Sequence, residues 1–153
     1  NGYNNAAKHA PWLVLVDLNS DAGCAPLLRQ DWVPVPAPRL CFRVAVHQVE
    51  AWLMADTDTL AAYLDVPRRT IPANPETLPN AKAEMINLAR RSRRRDIRHD
   101  MIPRQGSGRL VGPAYASRLI EYARRDWRPE VAAQRAESLR RAIACLRGVV
   151  KQS

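Results

Sequence analysis

The sequence predicts a mixed α/β fold in which a small parallel sheet is flanked by helices and the C-terminal half is helical. Two short apolar segments in the first half, 12–16 and 40–46, have the length and the Val, Leu and Phe content of strands. From residue 81 onward, apolar residues recur three and four positions apart, as they do along one face of a helix.

The first strand is predicted over 12–16 and is followed at once by Asp17. Because the run is apolar at every position, we expect it to be buried on both faces of a parallel sheet. An acidic residue at the carboxyl end of such a strand commonly lies in the functional crevice. Residues 18–23 then form a loop, and 24–30 form a short helix with Pro26 in its first turn.

The second strand is predicted over 40–46, after a proline-rich segment that cannot belong to a central strand. A short helix follows over 49–55. Asp56 or Asp58 then caps a further helix by accepting a backbone N–H, and Pro67 ends it. Four prolines between 67 and 80 indicate a surface loop.

Three helices are predicted in the second half, over 81–97, from Pro113 to Arg125, and from Pro129 to Leu146. Their predicted inward positions include Met85 and Leu88 in the first, and Tyr115, Leu119, Ile120 and Ala123 in the second. Those of the third are Ala132, Ala136, Leu139, Ile143 and Leu146. Two strands are too few for a stable sheet beside so many helices. The sequence begins without Met, so we expect a further strand from a preceding segment, from a segment assigned otherwise above, or from a partner.

Length and composition indicate one domain, 1–153, that needs no disulfides to fold. Three widely spaced cysteines form no C-x-x-C pair, and we expect reduced thiols. The longest apolar run has five residues and no cleavable signal is evident, which predicts a cytoplasmic protein that does not enter the membrane.

Charge divides the chain into an acidic α/β part, 1–76, and a basic helical part, 77–153. The first part has 6 basic and 8 acidic residues, and the second has 18 basic and 7 acidic residues. The net charges of −2 and +11 predict a polyanionic partner, because arginines neutralise phosphates and release counterions. The alternative is a solvated surface that aids solubility.

An acidic segment follows the first strand, with oxygen-bearing side chains at Asp17, Asn19 and Asp21. Glu50 follows the second strand and can reach the same crevice if the strands are neighbours. Oxygen ligands of this kind suit Mg²⁺, so the four residues are candidate metal ligands. The alternative is that Asp and Asn stabilise a turn through their own side chains.

Basic side chains form two candidate phosphate-binding sets. On a continuous helix, Arg91, Arg94, Arg95 and Arg98 would share a face, or would instead pair with Asp96 and Asp100. The Gly106–Gly108 loop, with Arg104, Ser107 and Arg109, can wrap a phosphate or serve as a flexible connector.

Several segments of the chain resemble a bacterial Toprim-like family of unknown function, related to the Toprim domains of overcoming-lysogeny-defect nucleases. The similar segments are 13–21, 43–56 (RVAVHQVEAWLMAD), Asn74-Pro75-Glu76 with Lys82, and 104–115 (RQGSGRLVGPAY). Toprim domains gather an early Glu and an Asp-x-Asp around magnesium on a parallel α/β fold. The resemblance implies that Asp17 matches the first Asp of that pair, whereas Asn19 stands in place of the second and Asp21 can substitute for it. The early Glu has no match in this chain.

Together these features predict a nucleic-acid-binding protein, and the resemblance implies a Mg²⁺-dependent nuclease of a bacterial defence or mobile-element system. Mg²⁺, or Mn²⁺ in its place, would be held by Asp17, Asn19, Asp21 and Glu50, of which Asp17, Asp21 and Glu50 are the candidate catalytic residues. Lys82, Arg94, Arg95, Arg104, Ser107 and Arg109 are the candidate phosphate-binding residues. The alternative is a non-catalytic module with a degenerate acidic site that binds nucleic acid or protein, and a protein partner or homodimer fits either function.

Overall fold

The computed structural model describes residues 2–18, 24–46 and 48–151. Within these ranges the chain forms a two-stranded sheet and a series of helices joined by turns and loops. In chain order the elements are α1 (Gly2–Ala6), β1 (Trp12–Asp17), α2 (Ala25–Trp32), β2 (Leu40–Ala45), α3 (Val49–Met54), α4 (Thr57–Leu64), α5 (Ala81–Arg91), α6 (Arg95–Met101), α7 (Tyr115–Arg125), α8 (Pro129–Ala132) and α9 (Glu137–Val150). Two 3₁₀ turns, Arg68–Thr70 and Pro75–Thr77, lie between α4 and α5.

The two predicted strands pair with each other in parallel, which confirms the small parallel sheet. Their register runs from Trp12 opposite Leu40 to Asp17 opposite Ala45. The carboxyl ends of both strands therefore lie side by side, and the next described element after each strand is a helix. This arrangement fixes Asp17 next to the segment that enters α3.

The prediction that β1 is buried on both faces is wrong. Trp12, Leu13 and Leu15 are 38%, 47% and 40% exposed, whereas Val14 and Val16 pack against the core beneath the sheet. Successive side chains of a strand point to opposite faces, and here only one face is covered by other described residues. The apolar run therefore predicted the strand correctly but not its surroundings.

The largest hydrophobic core is helical and joins the two parts of the chain. It combines Met54, Leu60 and Leu64 from α3 and α4 with Met85 and Leu88 from α5, and it extends through α6 and α7. The acidic and basic parts therefore share one core. A smaller cluster lies between the sheet and α2, and another lies between β2, α3 and α9.

The single helix predicted over 81–97 is two helices, and the chain breaks at Ser92. The Ser92 hydroxyl accepts a hydrogen bond from the Arg94 amide at 3.0 Å, and the Arg93 amide donates to the Asp65 carbonyl at 3.3 Å. These bonds replace helical ones, as serine side chains commonly do at helix ends. Arg91 therefore belongs to α5 and Arg95 to α6, so the predicted arginine face on one helix is not formed.

The helix predicted from Pro129 to Leu146 is also divided, into α8 and α9. Two predicted inward positions are wrong, Ile120 on the helix predicted from Pro113 and Leu146 on the last helix. Ile120 is 51% exposed and Leu146 is 40% exposed. On α7 the fully buried side chain is Tyr122, whose hydroxyl lies 2.8 Å from the Thr59 hydroxyl. A polar tip with a buried partner made this residue difficult to predict from apolar spacing alone.

Gly112 lies where the chain passes close to the backbone at the end of α6. A Cβ at this position would stand 2.3 Å from the Asp100 carbonyl oxygen, and the Gly112 amide donates to the Met101 carbonyl at 3.0 Å. Only glycine fits this approach, which anchors the turn between α6 and α7. Among the helices described, none has the length and apolar content needed to cross a bilayer.

Candidate functional site

Asp17 ends β1 and connects it to α3. Its Oδ1 accepts a hydrogen bond from the Val49 amide at 2.9 Å, at the first residue of the helix. A carboxylate at a helix N-terminus satisfies an amide that has no partner within the helix. Asp17 is thus held against the turn that carries Glu50, the next residue along.

Glu50 is a buried carboxylate with one oxygen bonded and one without a partner. It is 3% exposed, and its Oε1 accepts a hydrogen bond from the Tyr115 hydroxyl at 3.0 Å. Its Oε2 is buried and has no hydrogen-bond partner among the described residues. An unsatisfied buried oxygen costs free energy, so the described surroundings leave Oε2 without the donor or cation that it needs.

Two neighbours of Glu50 control its charge environment. Burial and the adjacent carboxylate raise the pKa of Tyr115 above its usual value, which keeps the phenol protonated as a donor. The Lys82 ammonium lies 3.7 Å from Glu50 Oε1, and its side chain is 40% exposed. Lys82, predicted as a phosphate-binding residue, is thus placed beside the predicted metal ligand Glu50. The Lys82 amide also binds the Gln48 side chain at 2.8 Å.

The remaining predicted metal ligands, Asn19 and Asp21, lie outside the described residues. Over 2–18, 24–46 and 48–151, no group of three or more His, Cys, Asp and Glu side chains stands close enough to hold a metal ion. The described part of the predicted site is therefore Asp17 and Glu50, held by β1 and α3.

Other carboxylates of the first part bind the second part. Asp56 is fully buried and accepts hydrogen bonds from the Arg128 amide and guanidinium at 2.7–3.0 Å, so its predicted role as a helix cap through its side chain is wrong. Glu76 accepts hydrogen bonds from the amides of Glu137 and Ser138 at 2.7 and 3.1 Å, at the N-terminus of α9. No spacing in the sequence identifies either pair, because the partners are more than 60 residues apart.

Arg94 and Arg95, both predicted to bind phosphate, have different surroundings. The Arg94 guanidinium donates to Asp96 at 2.5 and 3.2 Å and to the Tyr63 carbonyl at 3.1 Å. The hydrogen bonds from Arg94 lower the pKa of Asp96 to about 2, so this carboxylate is charged at neutral pH. Arg95 is exposed and has no side-chain partner among the described residues.

A network around Arg118, which the sequence did not predict, holds α6 against α7. Its guanidinium contacts Asp96, Asp100 and Glu121 at 3.1, 2.7 and 3.0 Å. The acidic side chains near the arginine-rich turn are therefore already bound. Three neighbouring arginines, Arg91, Arg93 and Arg95, are exposed and face no carboxylate in the described structure; we call them the basic corner.

The predicted loop around Gly106 is exposed and locally ordered by its own backbone. Gly106 and Gly108 have φ values of 76° and 64°, in the region that favours glycine. The Ser107 hydroxyl accepts from the Arg109 amide at 3.3 Å, and Arg104 lies 3.4 Å from a His99 ring nitrogen. No hydrogen bond between described residues links this loop to Asp17 or Glu50.

Comparisons with models of known protein families, with curated proteins and with solved structures gave no match.

Proposed function

We propose that this protein binds nucleic acid through the basic corner. The observation that carries the proposal is that Arg91, Arg93 and Arg95 are exposed without a carboxylate partner, in the half of the chain whose net charge is +11. Guanidinium groups bind phosphates with paired hydrogen bonds, and each phosphate neutralised releases counterions.

The turn between α5 and α6 supports this function because its backbone is fixed by neighbouring arginines. Arg94 is held by Asp96 and the Tyr63 carbonyl, and Arg98 binds the Ser92 carbonyl. The basic corner thus projects from an ordered turn, so less conformational freedom is lost when it meets a ligand.

The test is fluorescence anisotropy with labelled DNA and RNA, single- and double-stranded, at a series of salt concentrations. The variant R91Q/R93Q/R95Q should lower the slope of log affinity against log salt by about 2.7 for a duplex, which is three contacts of about 0.9 each. The matched control is R68Q/R125Q/R147Q, which removes three exposed arginines that are paired with Asp58, Glu121 and Glu130. Equal losses in both variants, or affinity indifferent to salt, would contradict the proposal.

A second candidate activity is Mg²⁺-dependent cleavage of a phosphodiester at Asp17, Asp21 and Glu50. Two features of the described residues suit a hard cation: the partnerless buried Oε2 of Glu50, and the fixed position of Asp17 beside the same turn. A bound Mg²⁺, or Mn²⁺, would polarise the phosphodiester and stabilise developing charge. In this activity Lys82, whose ammonium lies 3.7 Å from Glu50 Oε1, would bind a phosphate near that carboxylate.

Asp17→Asn separates this activity from structural support. The asparagine carbonyl can still accept from the Val49 amide, so α3 keeps its cap while the negative charge is lost. The nuclease hypothesis predicts Mg²⁺- or Mn²⁺-dependent cleavage that Asp17→Asn abolishes without a change in melting temperature. Binding without any metal-dependent cleavage would instead favour the alternative, a non-catalytic binding module with a degenerate acidic site. We place this function in the cytoplasm of a bacterium, in a defence or mobile-element system.

A further inference from the structure

A cleft of about 380 Å³ runs along the edge of β2 that does not pair with β1; we call it the edge cleft. It is bordered by the first turns of α2 and of α9 and by side chains from both faces of β2, with no residue from β1. Its lining residues are Ala25, Pro26, Arg29, Phe42, Arg43, Val44, Val46, Glu76, Glu137, Ser138 and Arg141.

Arg43 provides the evidence for a ligand. Its Nε is buried and has no hydrogen-bond partner in the described ranges. Arg43 as a whole is partly exposed, but a buried N–H without an acceptor is costly, and an anion in the cleft would supply that acceptor. Arg29 adds a second cation on the α2 side, exposed and without a partner among the described side chains.

The carboxylates in the edge cleft do not supply the missing acceptor. Both oxygens of Glu76 are bonded to the amides and hydroxyl at the start of α9. The Glu137 carboxylate pairs with Arg141 at 2.5 Å. The cleft therefore combines three arginines with two carboxylates that are already bound, and among the described residues no carboxylate pairs with Arg29 or Arg43.

The edge cleft lies close to the candidate acidic site through α3. The Trp52 indole N–H donates to the Ser138 hydroxyl at 2.7 Å, and Ser138 lines the cleft. Trp52 is two residues beyond Glu50 on the same helix. Val46 extends the lining to the carboxyl end of β2, next to the end of β1 that carries Asp17.

We propose that the edge cleft binds a phosphate group of the nucleic-acid ligand through Arg43 and Arg29, an inference that rests on the proposed function. A phosphate offers several acceptor oxygens to guanidinium groups that line the same cleft, and the volume is in the range of small-molecule sites. The basic corner would thus hold one part of the strand, while the edge cleft holds a phosphate near Asp17 and Glu50.

The test measures binding of a labelled 20-base-pair duplex by the full chain carrying Arg43→Met, Arg29→Met or Arg39→Met. Arg39 is the matched control, since it precedes the opposite end of β2 and is not part of the cleft lining. Arg43→Met and Arg29→Met should each weaken binding about tenfold, as expected for one hydrogen bond to a charged group. Each should also lower the salt slope by about 0.9, with Arg39→Met close to wild type.

Thermal melting distinguishes a binding role from a structural one. Because its buried Nε has no partner, replacing Arg43 by Met should leave the melting temperature unchanged or raise it. Inorganic phosphate, compared with chloride at equal ionic strength, should raise the melting temperature of the wild type more than that of Arg43→Met. If Arg43→Met proves unstable, Arg29→Met carries the test, because Arg29 is exposed.

The outcomes separate the two proposals. If the wild type binds the duplex and the Arg43→Met and Arg29→Met variants bind it as tightly as Arg39→Met does, the proposal for the edge cleft is overturned. The proposal for the basic corner would then still stand. Absence of wild-type binding would overturn both proposals. A polyglutamate peptide that binds as tightly as DNA, with the same dependence on Arg43, would overturn the assignment of phosphate as the ligand.

Discussion

The ion pair between Asp56 and Arg128 allows a quantitative test of how the two parts of the chain are joined. The Asp56 carboxylate accepts the Arg128 amide at 2.9 Å, Nε at 3.0 Å and Nη2 at 2.7 Å. The two side chains differ in exposure, 1% for Asp56 and 48% for Arg128. Water can therefore solvate the Arg128 guanidinium when Asp56 is replaced, whereas water does not reach the buried Asp56 carboxylate when Arg128 is replaced.

Asp56→Asn keeps the shape of the side chain but removes its charge and turns a donor toward the guanidinium. Removing one partner of a buried pair costs about 3–5 kcal/mol, and the exposure of Arg128 favours the lower end, about 3 kcal/mol. At roughly 2–4 °C per kcal/mol for a chain of this size, the melting temperature should fall by about 6–12 °C. Arg128→Met should destabilise the protein more than Asp56→Asn. It removes the guanidinium and leaves the buried Asp56 carboxylate with one hydrogen bond from residue 128, the one donated by its backbone amide.

Urea unfolding followed by tryptophan fluorescence measures both free energies of unfolding, and their pH dependence supplies a second check. Burial opposes ionisation of Asp56, but the hydrogen bonds and charge of Arg128 outweigh it and lower its pKa. The contribution of this carboxylate is therefore present above the unfolded pKa of about 3.9 and is lost as pH falls through the lower folded pKa. The stability gap between wild type and Asp56→Asn should narrow below about pH 4. Equal destabilisation by the two variants, or a gap unchanged in acid, would refute this reasoning.

Three further predictions concern packing, capping and thiol chemistry. Gly112→Ala should destabilise by about 1–3 kcal/mol, because the new Cβ would stand 2.3 Å from a carbonyl oxygen. Its control is Gly148→Ala, which meets nothing within 4 Å on α9 and should stabilise by about 0.5–1 kcal/mol; thermal melting that ranks the two in the opposite order would contradict the packing. Glu76→Ala should cost about 1–2 kcal/mol and speed amide exchange in the first turn of α9, and unchanged exchange there would argue against its role as a cap. Burial and a neighbouring thiol raise the pKa of Cys41 to about 12, so this thiol should not react with a disulfide reagent at pH 8 in the folded protein. Folded Cys41→Ser should therefore show as many reactive thiols as the folded wild type. After unfolding, the variant should show one reactive thiol fewer.

Local patterns in the sequence predicted most elements of the fold but not the breaks between them. The strands, α3 and α4 lie within a few residues of their predicted bounds, because apolar runs and prolines report on the local chain. The division of 81–97 at Ser92 depends on a bond from the Arg93 amide to the Asp65 carbonyl, which no local pattern contains. The exposure of Leu13 and Leu15 depends on which elements cover a strand, and that is also a property of the tertiary structure.

The candidate site was predictable only in part, for the same reason. The positions of Asp17 and Glu50 after two neighbouring strands followed from the parallel sheet. The partner of Glu50 did not, since Tyr115 is 65 residues away and was predicted as an inward helix position without a polar role. Arg43 was hidden within a strand-forming segment, where an alternating polar residue ordinarily indicates a solvated face. Its buried Nε becomes visible only once α9 packs over β2.

The sequence separates an acidic part from a basic part, but in the fold some of the acidic side chains contact the basic part. Three carboxylates of the acidic part are used internally: Asp56 binds Arg128, Glu76 binds the start of α9, and Glu50 contacts Lys82. Each of these contacts joins the two parts of the chain, so these three carboxylates add polar links to the hydrophobic core that the two parts share.

Some arginines are paired with carboxylates inside the fold, and others are left to bind a ligand. On the basic part, Arg94 and Arg118 are bound to carboxylates, and the nearby basic corner is not. On the acidic part, whose net charge is −2, Arg29 and Arg43 face an open cleft. A polyanion attracted by the net charge alone would not distinguish these arginines from the salt-bridged ones. If the unpaired arginines define the binding surface, replacing an unpaired arginine must weaken binding more than replacing a salt-bridged one. The matched variants remove equal numbers of arginines and therefore measure that difference.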